Sequence, residues 1–209
     1  MTGTPNSRLG QVAITACLLG TFLVVYVVAS AAATEPLCTR TVLDDPWPLL
    51  PGAVWLYLSP YPLGVAVVSS LPRRLFSAFC GRGVVVGLLH AAAFFLVPTV
   101  VARPVIDDAI QGPSAALLRF IYHHDLPTNA APSAHVSVTI LITWTVWQSR
   151  PRLRIPAVAW CLGVCATVVL TGQHHVLDAI TGAALIAAVL IAADRWQQQP
   201  SPTTNHEPS

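Results

Sequence analysis

Two short segments hold the residues best suited to chemistry. Pro132-Ser133-Ala134-His135 and Thr171-Gly172-Gln173-His174-His175-Val176-Leu177-Asp178 each lie at the edge of a long apolar run, where ionisable groups are costly and need a reason. His174 and Asp178 are four apart, so on a helix they share a face. A carboxylate at that spacing accepts a hydrogen bond from one imidazole nitrogen and fixes the tautomer, leaving the other nitrogen's lone pair to attack an electrophile. This reading makes His174 the nucleophile. His135 arrives from a different helix, and as a group titrating near neutrality it suits protonation of a departing oxygen. Ser133 and the free N–H groups at the start of the same helix suit phosphate oxygens.

Competing readings exist for each residue. A His-x-x-x-Asp pair on its own is more often a surface or capping pair, and a metal held by His135, His174, His175 and Asp178 would suit zinc or iron. His123 and His124 read as solvent-facing loop residues, His90 as a packed histidine, and His206 carries no assignment.

The elements that must position these groups are membrane spans. The chain is 54% hydrophobic and 10% charged, with a mean hydropathy of +0.63, far fewer charges than a soluble domain uses to cover its surface. The expected fold is all-α, a polytopic bundle of six spans near 11–31, 49–70, 84–102, 134–149, 155–171 and 175–193. The first run is longer than a signal-peptide core and reads as an uncleaved span. The organisation expected is a cytoplasmic head (1–10), a membrane domain (11–195) and a disordered cytoplasmic tail (196–209) rich in Gln, Pro, Ser and Thr.

All basic residues are arginines. Alternate loops place Arg8, Arg73, Arg74, Arg82, Arg150, Arg152, Arg154 and Arg195 on one side, and only Arg40, Arg103 and Arg119 on the other. Positive loops stay cytoplasmic, so both termini are expected inside and the two histidine segments at the outer face. Arg103 and Arg119 are then the arginines available to an anion there. A net charge of +2 without a basic cluster excludes nucleic acid as partner. The five cysteines fit no C-x-x-C pattern and read as small apolar fillers. No residue pattern calls for a metal or organic cofactor, and the oligomeric state is not written in the sequence.

At these residues the chain resembles the type-2 phosphatidic acid phosphatase superfamily. The family's P-S-x-H motif matches Pro132, Ser133 and His135, and its H-x-x-x-D core matches His174 and Asp178. The stretch Asp125 to His135, with Asn129 inside it, the stretch Thr171 to His175, and Trp55 to Tyr61 are similar to the branch containing inositol phosphorylceramide synthase-like phosphotransferases. The likeness covers roughly residues 40–193. It implies attack by His174 on phosphorus, a phosphohistidine oriented by Asp178, protonation of the leaving group by His135, and substrate contacts from Ser133, Arg103, His175, Asn129 and Arg119. Two family cations are absent: Leu96 stands at the lysine of K-x6-R-P, which ends in Arg103-Pro104, and Val168 stands at the arginine of the third motif, after Thr167.

The implied function is a lipid phosphatase or phosphotransferase acting on a phosphatidic acid or polyprenyl pyrophosphate. The alternatives are a headgroup transferase resembling inositol phosphorylceramide or sphingomyelin synthase, and a non-catalytic lipid-phosphate-binding protein. The Lys-free, Ala- and Val-rich composition points to a bacterial plasma membrane with the site facing outward.

Overall fold

The computed structural model describes residues 7–198. Helix α1 (Arg8–Ala32) is followed by a strap (33–50), then a 3-10 turn at Pro51–Ala53 that runs into α2 (Val54–Leu58) and α3 (Pro60–Val68). Next come α4 (Arg73–Leu96), α5 (Pro113–His124), α6 (Ala134–Ser149), α7 (Arg154–Leu170) and α8 (Val176–Gln198). Much of the expected head and tail falls outside the described residues; within them, helix already begins at Arg8 and ends at Gln198.

The chain is an all-α integral membrane bundle. Among the described residues, five stretches are long and apolar enough to cross a bilayer: α1, Pro51–Val68, α4, Pro151–Leu170 and Val176–Trp196. The sixth, α6, has 16 residues, about 24 Å at 1.5 Å per residue against a hydrocarbon core of roughly 30 Å. Its position explains how it can be short and polar. It packs against α3, α4, α7 and α8, and the hydroxyls of Thr139, Thr143 and Thr145 donate to carbonyls four residues back at 2.7–2.9 Å. These threonine hydroxyls are satisfied within the helix, so they need no water.

Two expectations change. The third span runs over 73–96 rather than 84–102, because the buried Arg82 is accommodated inside the bundle. Its guanidinium lies 4.2 Å from the centre of the Trp144 ring and 3.5 Å from Asp194, which a hydropathy window does not register. Beyond Pro98 the chain is extended, and β2 (Thr99–Val100) pairs in parallel with β1 (Leu37–Cys38) of the strap. The second change is α5, a helix within the expected outer loop. Pro113 opens it after Gly112 at φ 109°, and its Leu118 is buried with Val54 and Ile106. His123 and His124 form its last turn instead of a loop.

Candidate active site

Two backbone junctions bring the histidine segments to the same end of the bundle. At the first, Ser133 is the N-cap of α6, its Oγ accepting from the Val136 N–H at 3.4 Å. The Ser133 N–H donates to the carbonyl of Asp178 at 2.9 Å, and Ser137 Oγ donates to the carbonyl of Gly182 at 2.8 Å. Glycine is required at this seam. A Cβ on Gly182 would lie 3.0 Å from Ser133 N and 3.1 Å from its carbonyl carbon, and closer still to the carbonyl oxygen.

At the second junction α7 ends and the chain reverses through Gly172, whose φ of 61° favours glycine and whose Cβ position is taken by the Tyr122 hydroxyl and Pro104. The N–H groups of Gln173 and His174 both donate to the carbonyl of Val168, at 3.1 and 2.9 Å. Helix α8 starts only at Val176, so His174 lies in the turn and does not share a helix face with Asp178 as the spacing suggested.

This placement determines the hydrogen bonding of His174. Its Nδ1–H donates to the carbonyl of Ala130 at 3.0 Å, which leaves Nε2 carrying the lone pair. Asp178 Oδ2 stands 3.7 Å from Nδ1, beyond hydrogen-bond range. It accepts instead from the His175 N–H at 2.8 Å, an acid three positions into a helix reaching back to the residue before it, as in a capping box. Asp178 is fully buried and its Oδ1 has no partner. The tautomer is therefore set by a backbone carbonyl, with a buried carboxylate as a nearby countercharge.

His135 Nε2–H donates to the carbonyl of Tyr57 at 2.6 Å, and its ring stacks on Tyr57 with centroids 4.2 Å apart and planes within 7°. Nδ1 is then the nitrogen free for proton exchange. His135 and His174 line one cavity of about 260 Å³ together with Arg103, Asn129 and Gln173.

Arg103 is the one arginine in that lining. Its Nη1 donates to the carbonyls of Asp125 (2.6 Å) and Tyr122 (3.3 Å), and its Nη2 to Asp125 Oδ2 (2.9 Å) and Gln173 Oε1 (2.7 Å). The Asp125 carboxylate also lines the cavity and accepts from the Tyr26 hydroxyl at 3.0 Å. The cation is thus already paired.

The other expected substrate contacts divide. Asn129 lines the cavity with a φ of 58°, its Nδ2 donating to the Tyr26 carbonyl and Ser30 Oγ of α1. Ser133 is fully buried at the α6–α8 seam and does not line the cavity. His175 faces the strap, its Nδ1 2.8 Å from Thr39 Oγ1. Burial holds its pKa below the usual histidine value, against the opposing pull of Asp178 and Asp44. Arg119 donates to the carbonyls of Asp107 and Ile110 and borders a separate surface pocket with Pro104, Tyr122 and His123. Among the described residues no group of three or more His, Cys, Asp or Glu is arranged to hold a metal. His90 is buried, its Nδ1–H donating to the carbonyl of Val86 at 2.8 Å.

At the positions of the two missing family cations, Val168 is fully buried with Tyr57 and Val136, and Leu96 is 79% exposed at the end of α4. Several cavity residues escaped sequence reasoning. Gln173 neighbours His174, and Tyr57 and Tyr61 are four apart, but neither pattern separates a site from interfacial packing. The Ala130 and Tyr57 carbonyls that orient the histidines have no side-chain signature at all.

The strap closes this end of the bundle. Asp44 Oδ1 accepts from the Val176 N–H at 2.7 Å and Oδ2 from Thr41 N–H at 2.7 Å. Burial raises the Asp44 pKa, but these hydrogen bonds outweigh it and hold the carboxyl below its ordinary value.

A family model described as the PAP2 superfamily matches residues 35–192. No curated protein and no solved structure matches the chain. The chain belongs to the PAP2 superfamily, and with it to proteins with phosphatase- or phosphotransferase-type activity on lipid phosphates.

Proposed function

We propose that this superfamily member transfers a phosphoryl or phospho-headgroup from a membrane lipid through a phosphohistidine on His174. One observation carries the reading: two histidines from sequence-distant junctions line the same cavity, each with one ring nitrogen held by a backbone carbonyl and the other left for chemistry. Nε2 of His174 attacks phosphorus as the bond to the leaving oxygen breaks, and that oxygen takes the Nδ1 proton of a His135 that enters the step doubly protonated and leaves it neutral, still carrying the Nε2–H held by Tyr57. In the second step water or a lipid alcohol attacks the phosphohistidine and returns its proton to His135, freeing His174. The buried Asp178 carboxylate offsets the positive charge that forms on His174. Asn129, Gln173 and Arg103 border the reacting group, while Ser133 and His175 act by fixing the α6–α8 seam and the strap.

The Arg103–Asp125 pair favours a second reading within the same chemistry. A phosphomonoester dianion meets one already paired cation and a carboxylate, whereas a phosphodiester brings a single negative charge. This supports headgroup transfer over release of inorganic phosphate. The membrane domain then has both termini in the cytoplasm and the cavity at the outer face, as the arginine distribution indicates.

The test is lipid chromatography of purified protein with labelled phosphatidic acid, polyprenyl pyrophosphate and phosphatidylinositol, with and without ceramide, comparing wild type with His174→Ala. Product formed only by wild type supports the histidine mechanism, and its dependence on the acceptor lipid selects transfer. Equal product from both proteins excludes His174 as nucleophile.

A further inference from the structure

Buried polar atoms without a partner collect around one cavity. Among the described residues six buried side-chain nitrogens and oxygens make no hydrogen bond, and four belong to residues lining the cavity of His135 and His174. They are Nε of Arg103, Oγ1 of Thr128, Oδ1 of Asn129 and Nε2 of Gln173. Leaving a buried donor or acceptor unpaired is costly, so their concentration marks a place built to receive a polar group.

Of the four residues, Gln173 belongs to the nucleophile's own turn. It precedes His174 in the chain, the two backbone N–H groups share the Val168 carbonyl, and Gln173 is only 5% exposed. The orientation of its amide follows from chemistry. Arg103 has only donors to offer, so the atom 2.7 Å from its Nη2 is the amide oxygen. Turning the amide over would set its NH2 against a cation that Asp125 holds in place at 2.9 Å. The NH2 group is thereby directed away from Arg103, as a fixed donor beside His174.

We propose that Gln173 is a catalytic residue, its Nε2–H donating to a non-bridging oxygen of the phosphoryl group as His174 attacks phosphorus. The inference rests on the proposed histidine reaction. A donor fixed before the reaction stabilises the charge that develops on that oxygen with no reorganisation when it forms. Gln173 gives up no proton in the step and carries no charge. It therefore takes over part of the task of the family arginine, at whose position Val168 stands, without supplying a cation. A neutral amide suits the single charge of a phosphodiester and does nothing to offset the second charge of a monoester, so the residue also bears on specificity.

The test uses the full-length protein in detergent, with labelled lipid to follow turnover and vanadate, a five-coordinate mimic of the transferring phosphoryl group, to follow binding by calorimetry. Gln173→Glu keeps an oxygen for Arg103 but replaces the NH2 group with an acceptor. Gln173→Met removes both polar atoms at similar volume. In either variant that elutes as a monodisperse, folded species, kcat should fall about a hundredfold with KM little changed, and vanadate should bind at least about tenfold more weakly. A residue that only held Arg103 would leave Gln173→Glu as active as wild type. Wild-type kcat in either folded variant, or a loss confined to KM, overturns the proposal. His174→Ala separates the two claims. If it is inactive while the glutamine variants keep wild-type kcat, Gln173 falls and the histidine reaction stands; if it keeps full turnover, both fall. If wild type turns over no lipid, vanadate decides: weaker binding in both glutamine variants supports the contact, and equal or absent binding throughout overturns it.

Discussion

Gly182→Ala probes whether the two histidines depend on the α6–α8 seam. The new methyl would meet the backbone of Ser133, 3.0 Å from its nitrogen and 3.1 Å from its carbonyl carbon, with the carbonyl oxygen nearer still. Ordinary carbon contacts begin near 3.5 Å, and backbone atoms cannot rotate away as a side-chain tip does. The start of α6 must therefore shift from α8 by roughly an ångström, loosening the Ser133 N–H to Asp178 and Ser137 to Gly182 hydrogen bonds. Overpacking of this kind costs about 1–3 kcal/mol. The catalytic effect should be larger than the loss of stability implies, because His135 rides on α6 while His174 is tied to the turn before α8, and a misplacement of about 1 Å can cost roughly 100-fold in rate. The expected result is a protein that still elutes as a folded species, with Tm lowered by several degrees and kcat reduced by about two orders of magnitude. Thermal scanning in detergent and turnover of the labelled lipid measure the two quantities. An unchanged kcat in a variant whose Tm has fallen would refute the claim that this seam sets the histidine geometry.

Three further outcomes follow from the same structure. Asp125→Asn removes the carboxylate beside Arg103, and with it the repulsion that a second negative charge on the substrate would meet there. After solvent screening, competition assays should show the preference for phosphomonoester over phosphodiester rising about tenfold, and no change in that ratio would disprove the charge argument. Val168→Arg restores the family's residue but buries a cation at a fully buried position beside Tyr57 and Val136. An unpaired buried charge costs several kcal/mol, so the variant should express poorly and gain no phosphatase activity. Asp44, whose folded pKa lies below its ordinary 3.8, contributes stability that is complete above that value and fades as pH falls through the lower folded one. Hydrogen-exchange protection of residues 39–50, taken relative to the intrinsic rate at each pH, should stay constant down to about pH 4 and fall only below it, whereas Asp44→Ala should lower protection at neutral pH by the roughly 1 kcal/mol of a lost helix cap.

The fold was legible where apolar runs carry the information. Five spans come from apolar runs that declare themselves, and the fourth expected span appears as α6, a 16-residue helix rich in threonine. The boundary of α4 was misplaced because hydropathy scores Arg82 as a charge in lipid, when the neighbouring Trp144 and Asp194 make it an internal residue. Helix α5 was hidden for the opposite reason: at 12 residues it is short, and it buries only Ala115 and Leu118. In the site, His135 and His174 were legible by type, but the groups that orient them are the carbonyls of Tyr57 and Ala130, which any residue could supply. Ser133 shows the converse: it matches a phosphate-holding motif, yet its backbone serves the α6–α8 contact.

Arg103 shows why counting charges from sequence overstates what a site has to offer. With two family cations absent, Arg103 appeared to be the phosphate ligand in reserve, but the acid that pairs with it lies 22 residues away and could not be assigned to it beforehand. Its two terminal nitrogens meet four acceptors at 2.6–3.3 Å, so it enters any reaction already committed. Freeing it for a dianion would strand Asp125 and Gln173, both of which line the cavity, and an abandoned charge partner costs more than the pair is worth. Under the proposed chemistry, the cavity instead stabilises a phosphoryl group with the Gln173 side-chain amide, whose Nε2 has no partner among the described residues, and the positive charge that forms on His174. Such groups suffice for a monoanion far better than for a dianion, which ties the reaction type to one ion pair between Arg103 and Asp125.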